Sequence, residues 1–215
     1  MKFSMIRSFS STLALSLLLL ALTAFHADAQ QSLQLGLKGG GNFFKIGGRS
    51  FDGKTKPAFS GGAYGELNFS SHWAIQPELL FNQTIAKTTD QFTQIYGGVG
   101  LQQVTLNYVS LPVFLVFKPV PELSILVGPQ YGYLVSQTKD LLQNPLDRGK
   151  DAFNKNDLSI VFGGQLNLGK IKFGARYSAG LNNISFRTTD TWRQHGFQVY
   201  VGYQLKDLKL KKKKK

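Results

Sequence analysis

The sequence predicts an all-β fold: an eight-stranded antiparallel up-and-down transmembrane β-barrel with short periplasmic turns and long outer loops. Three observations carry this prediction. Apolar residues recur with period two along eight segments, as in strands with one apolar and one polar face. Most of these segments run ten to fourteen residues. Soluble strands cluster at about five or six, whereas tilted membrane-crossing strands need about nine to eleven. The connections alternate between tight turns and long polar loops, as in outer-membrane barrels.

Residues 1–29 read as a signal peptide. Lys2 and Arg7 form a positive start, and Thr12 to Phe25 is an apolar run of 14 residues, short of the roughly 20 that a spanning helix needs. Ala27 and Ala29 supply the small residues of a cleavage site. The barrel domain is drawn over residues 30–205 and a lysine-rich tail over 206–215.

The alternation is plain in each segment. Leu33, Leu35 and Leu37 oppose Gln34, Gly36 and Lys38; Ala63, Leu67 and Phe69 oppose Tyr64, Glu66 and Asn68. Trp73, Ile75, Leu79 and Phe81 oppose Gln76, Glu78 and Asn82. In the fourth segment Val109, Leu111, Val113, Leu115 and Phe117 are expected to face lipid. Val104, Leu106 and Tyr108 fall out of step with them, which predicts a bulge near Tyr108. Pro112 lacks an N–H, which predicts a local distortion there. Ile125, Val127, Tyr131 and Tyr133 then oppose Gly128, Gln130 and Gly132. The last three segments alternate in the same way around Phe162, Phe173 and Val201.

The polar face is rich in glycine: Gly36, Gly62, Gly128, Gly132, Gly163, Gly174 and Gly202 suit a lumen just wide enough for side chains to fill. It also carries Glu66, Glu78, Lys172 and Arg176, expected to form an internal charge network that plugs the lumen. A soluble lipocalin-type barrel would have to hold some five large apolar residues per strand inside and would offer few charges to water. Trp73, Phe69, Tyr133, Tyr177 and Tyr203 are the interfacial aromatics expected in girdles at the two membrane surfaces. With eight strands, both termini fall on the short-turn, periplasmic side.

Composition excludes several functions. Charged residues are 17%, below the roughly 25% of an ordinary soluble domain. The net charge of +13 does not indicate nucleic-acid binding, because seven lysines crowd into the last ten residues and no basic stripe is interleaved with aromatics. The tail reads as a solvated run rather than a binding element. The chain has no cysteine, hence no disulfide, thiol nucleophile or acylated lipoprotein cysteine. Gly39 to Gly41 and Gly47-Gly48 lack the spacing of a phosphate loop. His195, with Ser185 and Asp190 nearby in sequence, is the one set a lipid-modifying enzyme would draw on; His72 lies at the opposite end. Catalysis there needs a geometry that sequence does not give. No catalytic, cofactor-binding or metal residue is assigned, and no cofactor is expected.

The segments "LGLKGGGNF", "GAYGELNFSSHWAIQPELLF", "NYVSLPVFLVFK", "LSILVGPQYGYLV" and "ARYSAGLNNI" resemble the PorT-like outer-membrane β-barrel proteins of Bacteroidetes, from Leu33 to about Leu205. The resemblance implies a barrel in the outer membrane of a Gram-negative bacterium. The founding member of that family is tied to type IX secretion and gliding. Expected partners are outer-membrane lipids, the barrel-assembly machinery during insertion, and secretion-system proteins. The expected role is structural or interaction-based, without catalysis, the long loops forming the binding surface. The alternatives are an accessory secretion component, a narrow channel and, last, a lipid-modifying enzyme. The chain departs from the pattern of such barrels in one respect: their last strand usually ends the chain on an aromatic, whereas here "KDLKLKKKKK" follows Leu205. Either Tyr203 serves as an internal assembly signal or insertion works differently.

Overall fold

The computed structural model describes residues 32–92, 103–137, 153–185 and 190–210. The segment expected to be a signal peptide and the last five lysines lie outside them. The strands are β1 (Ser32–Gly47), β2 (Lys56–Asn68), β3 (Trp73–Lys87), β4 (Gln103–Val120), β5 (Leu123–Gln137), β6 (Asn156–Leu168), β7 (Ile171–Gly180) and β8 (Arg193–Lys209). They close in sequence order into one barrel, every neighbouring pair antiparallel, with β8 returning to pair with β1. Closure leaves no sheet edge unpaired, which is what lets strands cross a hydrocarbon layer.

The period-two pattern sorts the side chains. Along β4, Val104, Leu106, Tyr108, Ser110, Pro112, Phe114 and Val116 point inward and are buried. Leu111, Val113 and Leu115 point outward, each more than 40% exposed. Such a density of exposed large apolar side chains all round the molecule would be untenable in water.

The two ends differ. At one end the turns are short. Ser70 Oγ accepts the N–H groups of His72 (3.2 Å) and Trp73 (2.9 Å) between β2 and β3. Pro121 and Glu122 join β4 to β5. Gly169 takes φ 61° in the turn between β6 and β7, a left-handed conformation that suits glycine. The opposite end carries the long connections. Between the walls, Gly128 lets β5 close on β4, since a Cβ there would strike the Val113 carbonyl.

Three details depart from simple alternation. The expected bulge near Tyr108 is not in β4, whose inner parity is unbroken. The register with β5 does shift between Asn107 and Tyr108, but the extra residue is Val135 on β5. Val104, Leu106 and Tyr108 look out of step because the lumen itself turns apolar near the long loops. At Pro112 no residue is inserted, but the β3–β4 pairing lapses there: it passes from Pro77–Val113 to Leu80–Ser110 in one register and omits the pairs at Pro112 and Leu111, as a residue without an N–H leads one to expect. Lastly, β8 continues past Leu205 to Lys209. A shift opposite Leu35 and Gly36 leaves Leu205 as the extra residue. Beyond it, Lys206 and Leu208 pair with Leu35 and Leu33, so the alternation reverses and hides the end of the strand.

Candidate functional site

The lumen contains the densest chemistry of the molecule, arranged in layers from the short turns to the long loops. In the lowest layer Glu66, fully buried, accepts Lys118 Nζ on Oε1 and Lys172 Nζ on Oε2 at 2.6 Å. Lys118 also donates to Asn68 Oδ1 at 2.6 Å. In the next layer Glu78 accepts Lys38 Nζ at 2.5 Å on one oxygen and Arg176 Nη1 at 2.9 Å on the other. Gln76 Nε2 adds a bond to Glu78 at 2.6 Å. The cations also rest on rings: Lys38 lies 4.3 Å from the Tyr200 centroid and 4.9 Å from that of Tyr64, and Arg176 lies 5.1 Å from Phe114. Buried charge is tolerable only when paired and hydrogen-bonded, and these groups are.

Above this lies an amide belt. Arg176 Nε donates to Gln198 Oε1. Gln198 Nε2 in turn reaches Asn42 Oδ1 (2.5 Å), Ser60 Oγ (2.7 Å) and Asn82 Oδ1 (3.1 Å). The belt joins β1, β2, β3, β7 and β8 across the barrel axis.

The top layer is apolar. Phe51, Phe92, Phe153 and Trp192, one from each of the four long connections, converge over the lumen and are buried. Trp192 meets Phe51 edge-on at 4.9 Å, stacks on Phe92 at 5.8 Å and lies 5.2 Å from Phe153. Ile46, Leu106 and Tyr108 of the strands and Ile184 of the last long connection belong to the same buried cluster. Asp190 clamps the cap from the side: Oδ2 accepts Ser50 Oγ–H at 2.9 Å, Ser50 N–H at 3.2 Å and Trp192 Nε1–H at 3.1 Å. Burial pushes the Asp190 carboxyl up, but these bonds and the Arg49 charge outweigh it and hold it below the usual 3.8.

The four charges expected to plug the lumen, Glu66, Glu78, Lys172 and Arg176, thus lie in two adjacent ion-pair groups. Lys38 and Lys118 complete those groups, and the sequence alone does not pick them out. Lys38 reads as an ordinary polar-face residue, and Lys118 reads as part of a turn. Val109, Leu111, Val113, Leu115 and Phe117 lie on the outer face. Trp73 packs on Phe117 at 4.8 Å near the short turns, where Phe69 and Tyr203 also lie. Tyr133 lies towards the long loops, as does Tyr177, whose ring is 4.9 Å from Phe197. His195 and Asp190 hold separate partners. His195 Nδ1 faces the Arg193 carbonyl at 3.3 Å, and Ser185 N–H donates to Asn183 Oδ1.

The family described as outer membrane protein beta-barrel domain matches residues 28–185. The chain belongs to this family. It is an outer-membrane β-barrel protein. Among curated protein sequences none matches significantly. Solved structures share the architecture at low identity. Ail, the attachment invasion locus protein of Yersinia pestis, in complex with the heparin analogue sucrose octasulfate, is 15% identical with a TM-score of 0.45, covering 82% of this chain and 99% of its own. OprG from Pseudomonas aeruginosa is 12% identical with a TM-score of 0.41, covering 82% and 96%.

Proposed function

We propose that this protein is a sealed outer-membrane scaffold that presents its long loops as a binding surface, without catalysis or conduction. The observation that carries the reading is the filled lumen: two ion-pair layers and an amide belt, closed by one aromatic from each long connection. An eight-stranded barrel is just wide enough for side chains to fill, and here the filling is hydrogen-bonded from wall to wall. A rigid barrel holding loops fixed by their own aromatic cap is a suitable platform for recognition. The partner class implied by the PorT-like resemblance is a component of a type IX secretion or gliding system. The signal peptide would send the chain across the inner membrane, and the long loops would face outward with both termini in the periplasm.

The absence of cysteine makes single-cysteine labelling a clean test. Cysteine at Asp52, exposed in the first long connection, should react with a membrane-impermeant maleimide in intact cells. Cysteine at Ser71, in the turn between β2 and β3, should react only after lysis. The reverse pattern would overturn the proposed orientation and remove the loops as an outward surface.

A further inference from the structure

On the outer wall, a groove of about 610 Å³ crosses β8, β7 and β6 between mid-β1 and the start of β5. This is in the range of about 300–1,000 Å³ typical of ligand pockets. Its floor is small: Gly41, Val199, Ala175 and Gly164 form one paired row, and Gly39 lies beside it. Large side chains bound it on both sides. The row Phe43, Phe197, Tyr177 and Phe162 stands towards the long loops, and Val201, Phe173 and Leu166, which share the row of Gly39, line the groove towards the short turns.

The glycines of this floor are not demanded by packing. A Cβ on inward Gly40 would strike the Val199 carbonyl, and one on Gly163 would strike the Ala175 carbonyl. A Cβ on Gly39 would meet nothing within 4 Å, and one on Gly164 only the Ser124 carbonyl at 4.0 Å. Glycine inside a strand weakens it and often marks a place where something else comes close. Here what comes close must be apolar and slender, because the groove opens on the hydrocarbon layer.

Two lysines stand at the short-turn rim of the same wall. Lys170 occupies the turn between β6 and β7, and its carbonyl accepts the Gln204 N–H at 2.8 Å. The Leu205 bulge sets Lys206 opposite outward Leu35, close beside that turn. Neither lysine is ion-paired among the described residues. The carboxylates of this rim are Glu122, whose carbonyl accepts the Asn167 N–H, and Asp207, opposite inward Gln34.

Resting on the membrane-barrel reading above, we propose that this wall retains one anionic phospholipid, an acyl chain lying in the groove and the phosphate between Lys170 and Lys206. Native mass spectrometry of the full chain, extracted in detergent and offered phosphatidylglycerol, phosphatidylcholine or inorganic phosphate, tests this. The wild type should hold one phosphatidylglycerol. Gly39→Leu/Gly164→Leu, and Gly164→Leu alone, should lose it while keeping the heat-dependent gel mobility of a folded barrel. Lys170→Gln/Lys206→Gln should lower the preference for phosphatidylglycerol over phosphatidylcholine by roughly 30-fold, the weight of two lysines at an anionic surface. Equal lipid retention in the wild type and the leucine variants would overturn the proposal, as would an unchanged headgroup preference or binding of inorganic phosphate alone. A wild type without heat-dependent mobility would instead mean that the barrel reading itself had failed.

Discussion

Glu78, on β3, takes Lys38 of β1 on one carboxylate oxygen and Arg176 of β7 on the other. Replacing it with glutamine leaves both cations buried without a counter-charge. Removing one partner of a buried pair costs about 3–5 kcal/mol, so Glu78→Gln should unfold at markedly lower urea concentration in vesicles, read by gel mobility. Trp192 is the hub of the cap. Trp192→Ala should cost about 3–5 kcal/mol locally and expose the loops to protease while the strands stay folded. The clamp at Asp190 adds a pH dependence. Because its folded value lies below 3.8, its contribution is fully present above that pH and is lost as the pH falls through the lower folded value. In a Trp73→Phe background, Trp192 emission should hold steady down to about pH 4 and shift only in stronger acid.

At the scale of elements, the strands are legible because a half-buried strand writes its two environments into alternate residues. Lone charges among apolar neighbours, such as Glu66 and Arg176, stand out for the same reason. Lys118 does not, because Pro119 and Pro121 suggest that β4 stops at Phe117, whereas it runs on to Val120. Nor does the end of β8, where one extra residue reverses the parity. The cap is the least legible part: its aromatics lie in polar connections with no period at all. Among the described residues each long connection gives one large buried aromatic to the cap, and burial is not a property the sequence displays. Adjacent glycines of β1 offer a sharp contrast at this scale. Gly40→Ala should impair folding, since its Cβ meets the β8 backbone, whereas Gly39→Ala, facing open space, should fold as the wild type does. Refolding yields into detergent, compared side by side, check both.

The whole molecule is a barrel whose mid-lumen is filled by side chains among the described residues, with a polar cavity of about 270 Å³ at the short-turn mouth. Two carboxylates hold four cations, amides bind wall to wall above them, and loop aromatics close the far mouth. Among the described residues the exposed large apolar side chains lie mostly on the outward face, and the function proposed above is left to the loops rather than to a pore. Single-channel recording tests this most directly. Heat-modifiable, folded wild type reconstituted in a planar lipid bilayer should give no stepwise conductance, at either polarity, over many insertions. Discrete, reproducible conductance steps from that folded protein would contradict the account.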